Sequence, residues 1–114
     1  MAKIAVVEDN AAVRQELCGF IAQYAQESGQ LLEVTPFADG SQIVEPYRPG
    51  FDIIFLDIEM PTLGGMPTAE RIRLLDPDVV LIFVTNMAQY AIRGYEVDAL
   101  DFVLKPVSYY QFST

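Results

Sequence analysis

The sequence predicts an α/β domain in which a parallel β-sheet carries helices on both faces. The runs Ile4-Ala5-Val6-Val7, Ile53-Ile54-Phe55-Leu56 and Val79-Val80-Leu81-Ile82-Phe83-Val84 are short, rich in β-branched and aromatic residues, and unbroken rather than alternating. Strands read that way when both of their faces are covered. Segments with helical spacing fill the gaps between these runs, and β and α elements that alternate at this length imply right-handed crossovers. No repeat, linker or low-complexity tract interrupts the 114 residues, so one domain is expected.

The elements follow in order. The first strand covers Ile4 to Val7. Val13, Leu17, Phe20, Ile21 and Tyr24 then form one stripe at helical spacing, with Asn10 placed to cap the helix. Cys18 lies beside that stripe and reads as a small buried hydrophobe. Leu31 to Phe37 is a weaker strand. Asp39-Gly40-Ser41 starts a second helix that Pro46 keeps short. After the strand at Ile53–Leu56, Pro67 suits the first turn of a third helix, with Ile72 and Leu75 facing inward. The strand at Val79–Val84 leads to a short fourth helix over Ala88–Tyr95. A last strand spans Ala99 to Leu104, and a fifth helix begins at Val107. The final SYYQFST reads as the first turns of that helix cut short, so a longer parent chain is expected.

Composition excludes several functions. Seven Lys and Arg against 16 Asp and Glu give a formal charge of −9, which opposes non-specific binding to nucleic acid or anionic membrane. There is no His, so the usual zinc sites and His-based triads are ruled out, and the domain cannot pass a phosphoryl group through a histidine of its own. Cys18 is the sole cysteine, so no intrachain disulfide forms. MAKIAVVEDN lacks a signal-peptide pattern and no apolar run reaches membrane-spanning length, so a cytoplasmic location is expected.

In open parallel sheets ligands bind at the carboxyl ends of the strands. Here those ends carry Glu8-Asp9, Asp57, Thr85 and Lys105-Pro106. If the strands are parallel, three carboxylates, a hydroxyl and an ammonium share one rim. Two carboxylates about 4 Å apart repel by about 4 kcal/mol at an effective dielectric near 20, so the cluster calls for a cation or raised pKa values. An all-oxygen set favours a hard ion. Mg²⁺ suits a shallow site, because it keeps several waters and accepts phosphate oxygens. Asp57 would then serve as nucleophile towards a phosphoryl group, with Lys105 paired to it at rest. Taken singly, each of these residues is more simply a cap or a structural group. Their convergence from four strand ends carries the reading.

VVEDN, FLDIEMP with the following GG, FVTN and DFVLKP occur in order along nearly the whole chain. In this set the chain resembles the receiver domain of two-component response regulators. The resemblance implies a flavodoxin-like (βα)5 three-layer sandwich with strand order 2-1-3-4-5 and a truncated fifth helix, in a single domain spanning residues 1–114. It implies that Asp57 accepts the phosphoryl group and that Glu8, Asp9 and Asp57, with the backbone carbonyl of Glu59, hold Mg²⁺. Thr85 matches the switch hydroxyl, Lys105 the phosphate-contacting lysine and Phe102 the aromatic switch residue. Pro106 matches a proline that follows a cis peptide bond.

Such a domain catalyses its own phosphotransfer and dephosphorylation but signals rather than turning over a substrate. The implied partners are a sensor histidine kinase as phosphodonor and a second copy of the chain on activation. DNA would be met only through an output domain outside this chain, and no membrane is involved. Residues Gln89–Tyr95, Ala99–Phe102 and Lys105-Pro106-Val107 resemble the LytTR subgroup, whose members usually carry a C-terminal DNA-binding domain. Tyr90 and Tyr95 are open to an output-contact role or to ordinary packing. Two alternatives stand beside this reading. A Toprim-type enzyme would use Asp57-Ile58-Glu59 as an acid-x-acid element, but needs neither Thr85 nor Lys105-Pro106. A degenerate receiver would bind partners without phosphorylation, yet every expected group is present.

Overall fold

The computed structural model describes residues 2–87 and 96–105. Five strands, β1 (Ala2–Val7), β2 (Leu32–Phe37), β3 (Ile53–Leu56), β4 (Val80–Thr85) and β5 (Asp101–Leu104), alternate with α1 (Ala11–Ser28), α2 (Gly40–Val44) and α3 (Gly65–Leu75). All strand pairs are parallel, and the order is β2-β1-β3-β4-β5. This is the expected flavodoxin-like arrangement. The fourth and fifth helices, Tyr90, Tyr95 and the Lys105–Pro106 peptide bond all involve residues outside the described ones.

The unbroken apolar runs now have a physical explanation. Successive side chains of a strand point to opposite faces, and each face here has its own core. Ala5, Val7, Ile54, Leu56, Leu81 and Phe83 pack with Ile43 of α2 and Met66, Ala69 and Ile72 of α3. On the other face Ile4, Val6, Phe55 and Val84 pack with Leu17 and Ile21 of α1. Neither face of the three inner strands is left to water. Fully buried residues such as Leu56 and Ile72 each contribute roughly 1.5–3 kcal/mol by burial, and truncating Ile72 to Ala would cost about 2–5 kcal/mol.

Asn10 caps α1 as its side chain predicts, accepting from the N–H groups of Ala12 and Val13 at 3.0 and 3.1 Å. Gly29 ends the helix with φ of 73°, a left-handed conformation that glycine adopts without a Cβ penalty. Cys18 is half-buried against the α1 core, and burial pushes its thiol pKa up. Leu75 corrects the expectation for α3, because it is 60% exposed. Leu75 is the last residue of α3, and the buried cluster that holds Ile72 is completed by Val79 and Val97 from beyond the helix.

Arg73 closes that end of the molecule. Its guanidinium donates to the carbonyls of Asp76, Pro77 and Val79, and to those of Val97 and Asp98 ahead of β5. One planar fork thus joins the end of α3, the start of β4 and the approach to β5.

Candidate functional site

Each strand releases its chain at the same rim because all five run parallel. Glu8 and Asp9 follow β1, Asp57 follows β3, Thr85 ends β4 and Lys105 follows β5. β1 and β3 are direct neighbours, with Val7 in register with Leu56, so Glu8 and Asp57 emerge side by side. The Asp57 N–H donates to Val7 O at 3.1 Å and the Glu8 N–H to Phe37 O at 3.0 Å, which holds both residues to the sheet beyond its last formal pair.

The carboxylates of Glu8, Asp9 and Asp57 converge, each offering an oxygen within 4.8 Å of the others. Glu8 and Asp57 are buried while Asp9 is exposed, so the cluster opens to solvent on one side. Lys105 Nζ lies 2.6 Å from Glu8 Oε1 and 3.0 Å from Asp57 Oδ2. Asp57 Oδ1 accepts from the Ile58 N–H at 2.7 Å, and Glu8 Oε2 from the Asn10 N–H at 3.1 Å. Arg14 of α1 braces the same loop from behind, donating to the Glu8 carbonyl at 2.7 Å.

Burial raises the Glu8 pKa to about 7, with the neighbouring Asp57 charge adding to it and Lys105 and the Asn10 N–H opposing it. For Lys105, burial favours the neutral amine, but Glu8 and Asp57 outweigh it and raise the ammonium pKa above its ordinary value. Glu8 Oε1 is buried and has an ionic neighbour in Lys105 but no hydrogen-bond donor in good geometry. A buried oxygen of that kind, facing two further carboxylates with one ammonium among the described residues beside them, fits a divalent cation: the donors are hard and oxygen-only. A metal site at this cluster is therefore consistent with the residues present.

Glu59 does not add its side chain to the cluster. Ile58 is buried and Met60 packs against the same core, which turns the intervening Glu59 side chain out to solvent. Any contribution from Glu59 would come from its backbone. Thr85 is fully buried, and its Oγ1 accepts from the Met87 N–H at 3.2 Å. The Lys105 N–H donates to Thr85 O at 2.9 Å, which links the ends of β4 and β5. Phe102 is half-buried against Phe83, with ring centroids 5.9 Å apart at 46°. Pro106 lies outside the described residues.

The loop after Asp57 is held at several points that the residue pattern did not single out. Gly65 lies so close to Asp57 that a Cβ there would collide with the Asp57 carbonyl oxygen, and its N–H donates to Ile58 O at 2.8 Å. Asp39, read from the sequence only as part of the start of the second helix, caps α2 by accepting from the Ser41 N–H at 2.9 Å. Its carboxylate also reaches across to the Thr62 and Leu63 N–H groups, both at 3.0 Å. Burial opposes its ionisation, but these N–H groups prevail and hold its carboxyl below the usual aspartate range.

A family model described as the response regulator receiver domain matches residues 4–113. The sensory transduction protein LytT of Oceanobacillus iheyensis is 32% identical over 114 residues, covering 96% of this chain and 44% of LytT. The chain thus spans less than half the length of the curated relatives it matches. Among solved structures, the non-phosphorylated HemR receiver domain of Leptospira biflexa aligns with a TM-score of 0.85 at 29% identity, over 98% of this chain and 88% of that one. The response regulator TrrA of Thermotoga maritima, solved in complex with Mg²⁺-BeF, aligns with a TM-score of 0.79 at 27% identity, over 98% and 93%.

Proposed function

The chain belongs to the response regulator receiver-domain family, and on that premise we propose that Asp57 is the phosphoryl acceptor of a magnesium-dependent switch in a two-component system. The observation that carries this reading is the buried Asp57 carboxylate, one oxygen on Lys105 Nζ at 3.0 Å and the acids of Glu8 and Asp9 alongside. The similarity to LytT agrees with the LytTR resemblance of residues 89–107. TrrA, whose structure holds Mg²⁺ and BeF, supports the choice of ion. No helix among the described residues is long and apolar enough to cross a membrane.

Glu8, Asp9 and Asp57, with the Glu59 carbonyl, would hold Mg²⁺, which when bound offsets negative charge gathering on the phosphoryl oxygens. The chain's own residues do the rest. An Asp57 carboxylate oxygen bonds to phosphorus as the bond from phosphorus to the donor's histidine nitrogen breaks, its electron pair leaving with the imidazole. The rigid strand end holds Asp57 in line for that displacement. Lys105 then donates to the phosphoryl oxygens in place of the carboxylate. Thr85 Oγ1 acts as acceptor towards Met87 N–H, so its own O–H proton remains to be donated to the phosphoryl group.

The acyl phosphate carries about −1.5 to −2 charge where the Asp57 carboxylate carried a single negative charge. Because Thr85 and Lys105 are tied together through the ends of β4 and β5, new bonds at both bias a two-state arrangement of that face, including Phe102. A sensor histidine kinase supplies the phosphoryl group. The output is transcription through a DNA-binding domain outside residues 1–114, and activation pairs two copies.

The test uses a small-molecule phosphodonor with Mg²⁺, read by intact mass. Wild-type protein should gain a single phosphoryl group and Asp57→Asn none. Labelling that survives Asp57→Asn would remove Asp57 as the acceptor.

A further inference from the structure

On the proposed reading the loop between Asp57 and α3 presents the Glu59 carbonyl, and its anchors are unevenly distributed. At its base, Ile58 and Met60 are held by the apolar core. At its end, the Gly65 N–H is bonded to Ile58 O, and Thr68 Oγ1 donates to Gly64 O at 2.7 Å. Between them, Thr62 is exposed and Leu63 half-buried, and neither belongs to the two apolar core clusters. Their N–H groups point at one acceptor, the buried Asp39 carboxylate. Asp39 is kept beside the loop by close backbone packing. A Cβ on the adjacent Gly40 would collide with Thr68 Oγ1 and stand 2.5 Å from Leu63 O, so α2 abuts α3 with no space to spare.

We propose that Asp39 is a positioning residue for the divalent cation: by holding the Thr62 and Leu63 N–H groups it fixes the loop that offers the Glu59 carbonyl beside Asp57. This rests on the reading of Glu8, Asp9, Asp57 and the Glu59 carbonyl as the cation's ligands. A carboxylate suits the task because its two oxygens can accept from two successive loop N–H groups while one of them also caps α2 at Ser41. Groups that orient ligands without touching a metal commonly affect its affinity by about 10–100-fold. Asp39 touches neither the phosphoryl group nor the ion, so its influence falls on how well the cation binds rather than on the transfer once the cation is in place.

Asp39→Ser separates this role from capping. A serine hydroxyl caps a helix well, but it is shorter and offers a single oxygen, so the Thr62 and Leu63 N–H groups lose their acceptor. Asp39→Asn keeps one carbonyl oxygen and should fall between serine and wild type. Mg²⁺ affinity is read by amide chemical-shift titration, and phosphorylation by a small-molecule donor is followed against Mg²⁺ concentration. Asp39→Ser should raise the Mg²⁺ dissociation constant and the half-saturating Mg²⁺ concentration about tenfold, with the rate at saturating Mg²⁺ unchanged. Wild-type Mg²⁺ affinity in a folded Asp39→Ser protein would overturn the proposal. So would a lowered saturating rate at unchanged half-saturation, which marks a merely structural residue. The wild-type titration is run first, because protein that binds no Mg²⁺ would sink the metal reading itself and this inference with it.

Discussion

The Lys105 ammonium lies 2.6 Å from Glu8 Oε1, closer than its 3.0 Å approach to Asp57 Oδ2. One lysine is therefore shared between two buried acids at rest, and its tighter hold is on Glu8 rather than on Asp57. On the proposed reading, a divalent cation entering the cluster would compete with Lys105 for the same oxygen, which would leave the ammonium available for a phosphoryl group on Asp57.

Lys105→Met tests that competition. Removing one partner of a buried ion pair leaves uncompensated charge, so the metal-free variant should lose about 2–4 kcal/mol of stability near pH 8. Added Mg²⁺ should recover much of it and should bind more tightly than to wild type. Urea unfolding with and without Mg²⁺ measures both, and a variant as stable as wild type without metal would show the pair to be unimportant.

Glu8 makes stability depend on pH. Its folded-state pKa of about 7 lies above the ordinary 4.5, so the folded protein holds this proton more tightly than the unfolded chain does. That contribution is fully present below pH 4.5 and is lost as pH rises through 7. Glu8→Gln should remove the loss, making the metal-free domain more stable at pH 8.5 by an amount on the order of 2 kcal/mol, while weakening Mg²⁺ binding. Denaturant midpoints at several pH values in metal-free buffer provide the check. A midpoint of the wild type that rises between pH 5 and 8 would contradict the assignment.

Thr85→Ala should still be phosphorylated at Asp57, since the hydroxyl is neither acceptor nor metal ligand. Its conformational response should shrink, because one of the two donors proposed to link β4 and β5 to the phosphoryl group is gone. Amide spectra before and after phosphorylation read this directly. A response of wild-type size would place the switch elsewhere.

Arg73→Ala should cost about 2–3 kcal/mol, because five carbonyls lose a charged donor and the half-buried ones cannot all turn to water. Arg73→Lys should recover only part, since an ammonium cannot reproduce the planar fork. The extent of phosphorylation of the folded variants should be unaffected, because the residue lies at the opposite end of β4 from Thr85. Urea midpoints and intact-mass labelling test the two halves of this expectation.

Much of the site could be read from the residues because the fold constrains it so simply. Once Ile4–Val7, Ile53–Leu56 and Val79–Val84 are recognised as strands of one parallel sheet, Glu8-Asp9, Asp57, Thr85 and Lys105 must share a rim. Hydrophobic periodicity also marked Leu17, Ile21 and Ile72 correctly. It failed at Leu75, which continues the pattern on paper but is the exposed last residue of α3, while Val79 and Val97 join Ile72 in the buried cluster.

The sequence by itself determined the sheet, its helical layers and the set of groups at the strand ends, because unbroken apolar runs are stable only with both faces covered. Only the tertiary structure decided how those groups are held: Lys105 divided between Glu8 and Asp57, Asp39 reaching the Thr62 and Leu63 N–H groups, Arg73 gathering carbonyls from both sides of β4. The physical reason is that these bonds largely join a side chain to a backbone amide or carbonyl. Every residue carries such groups, so the partner leaves no trace in the sequence until the chain has folded around it.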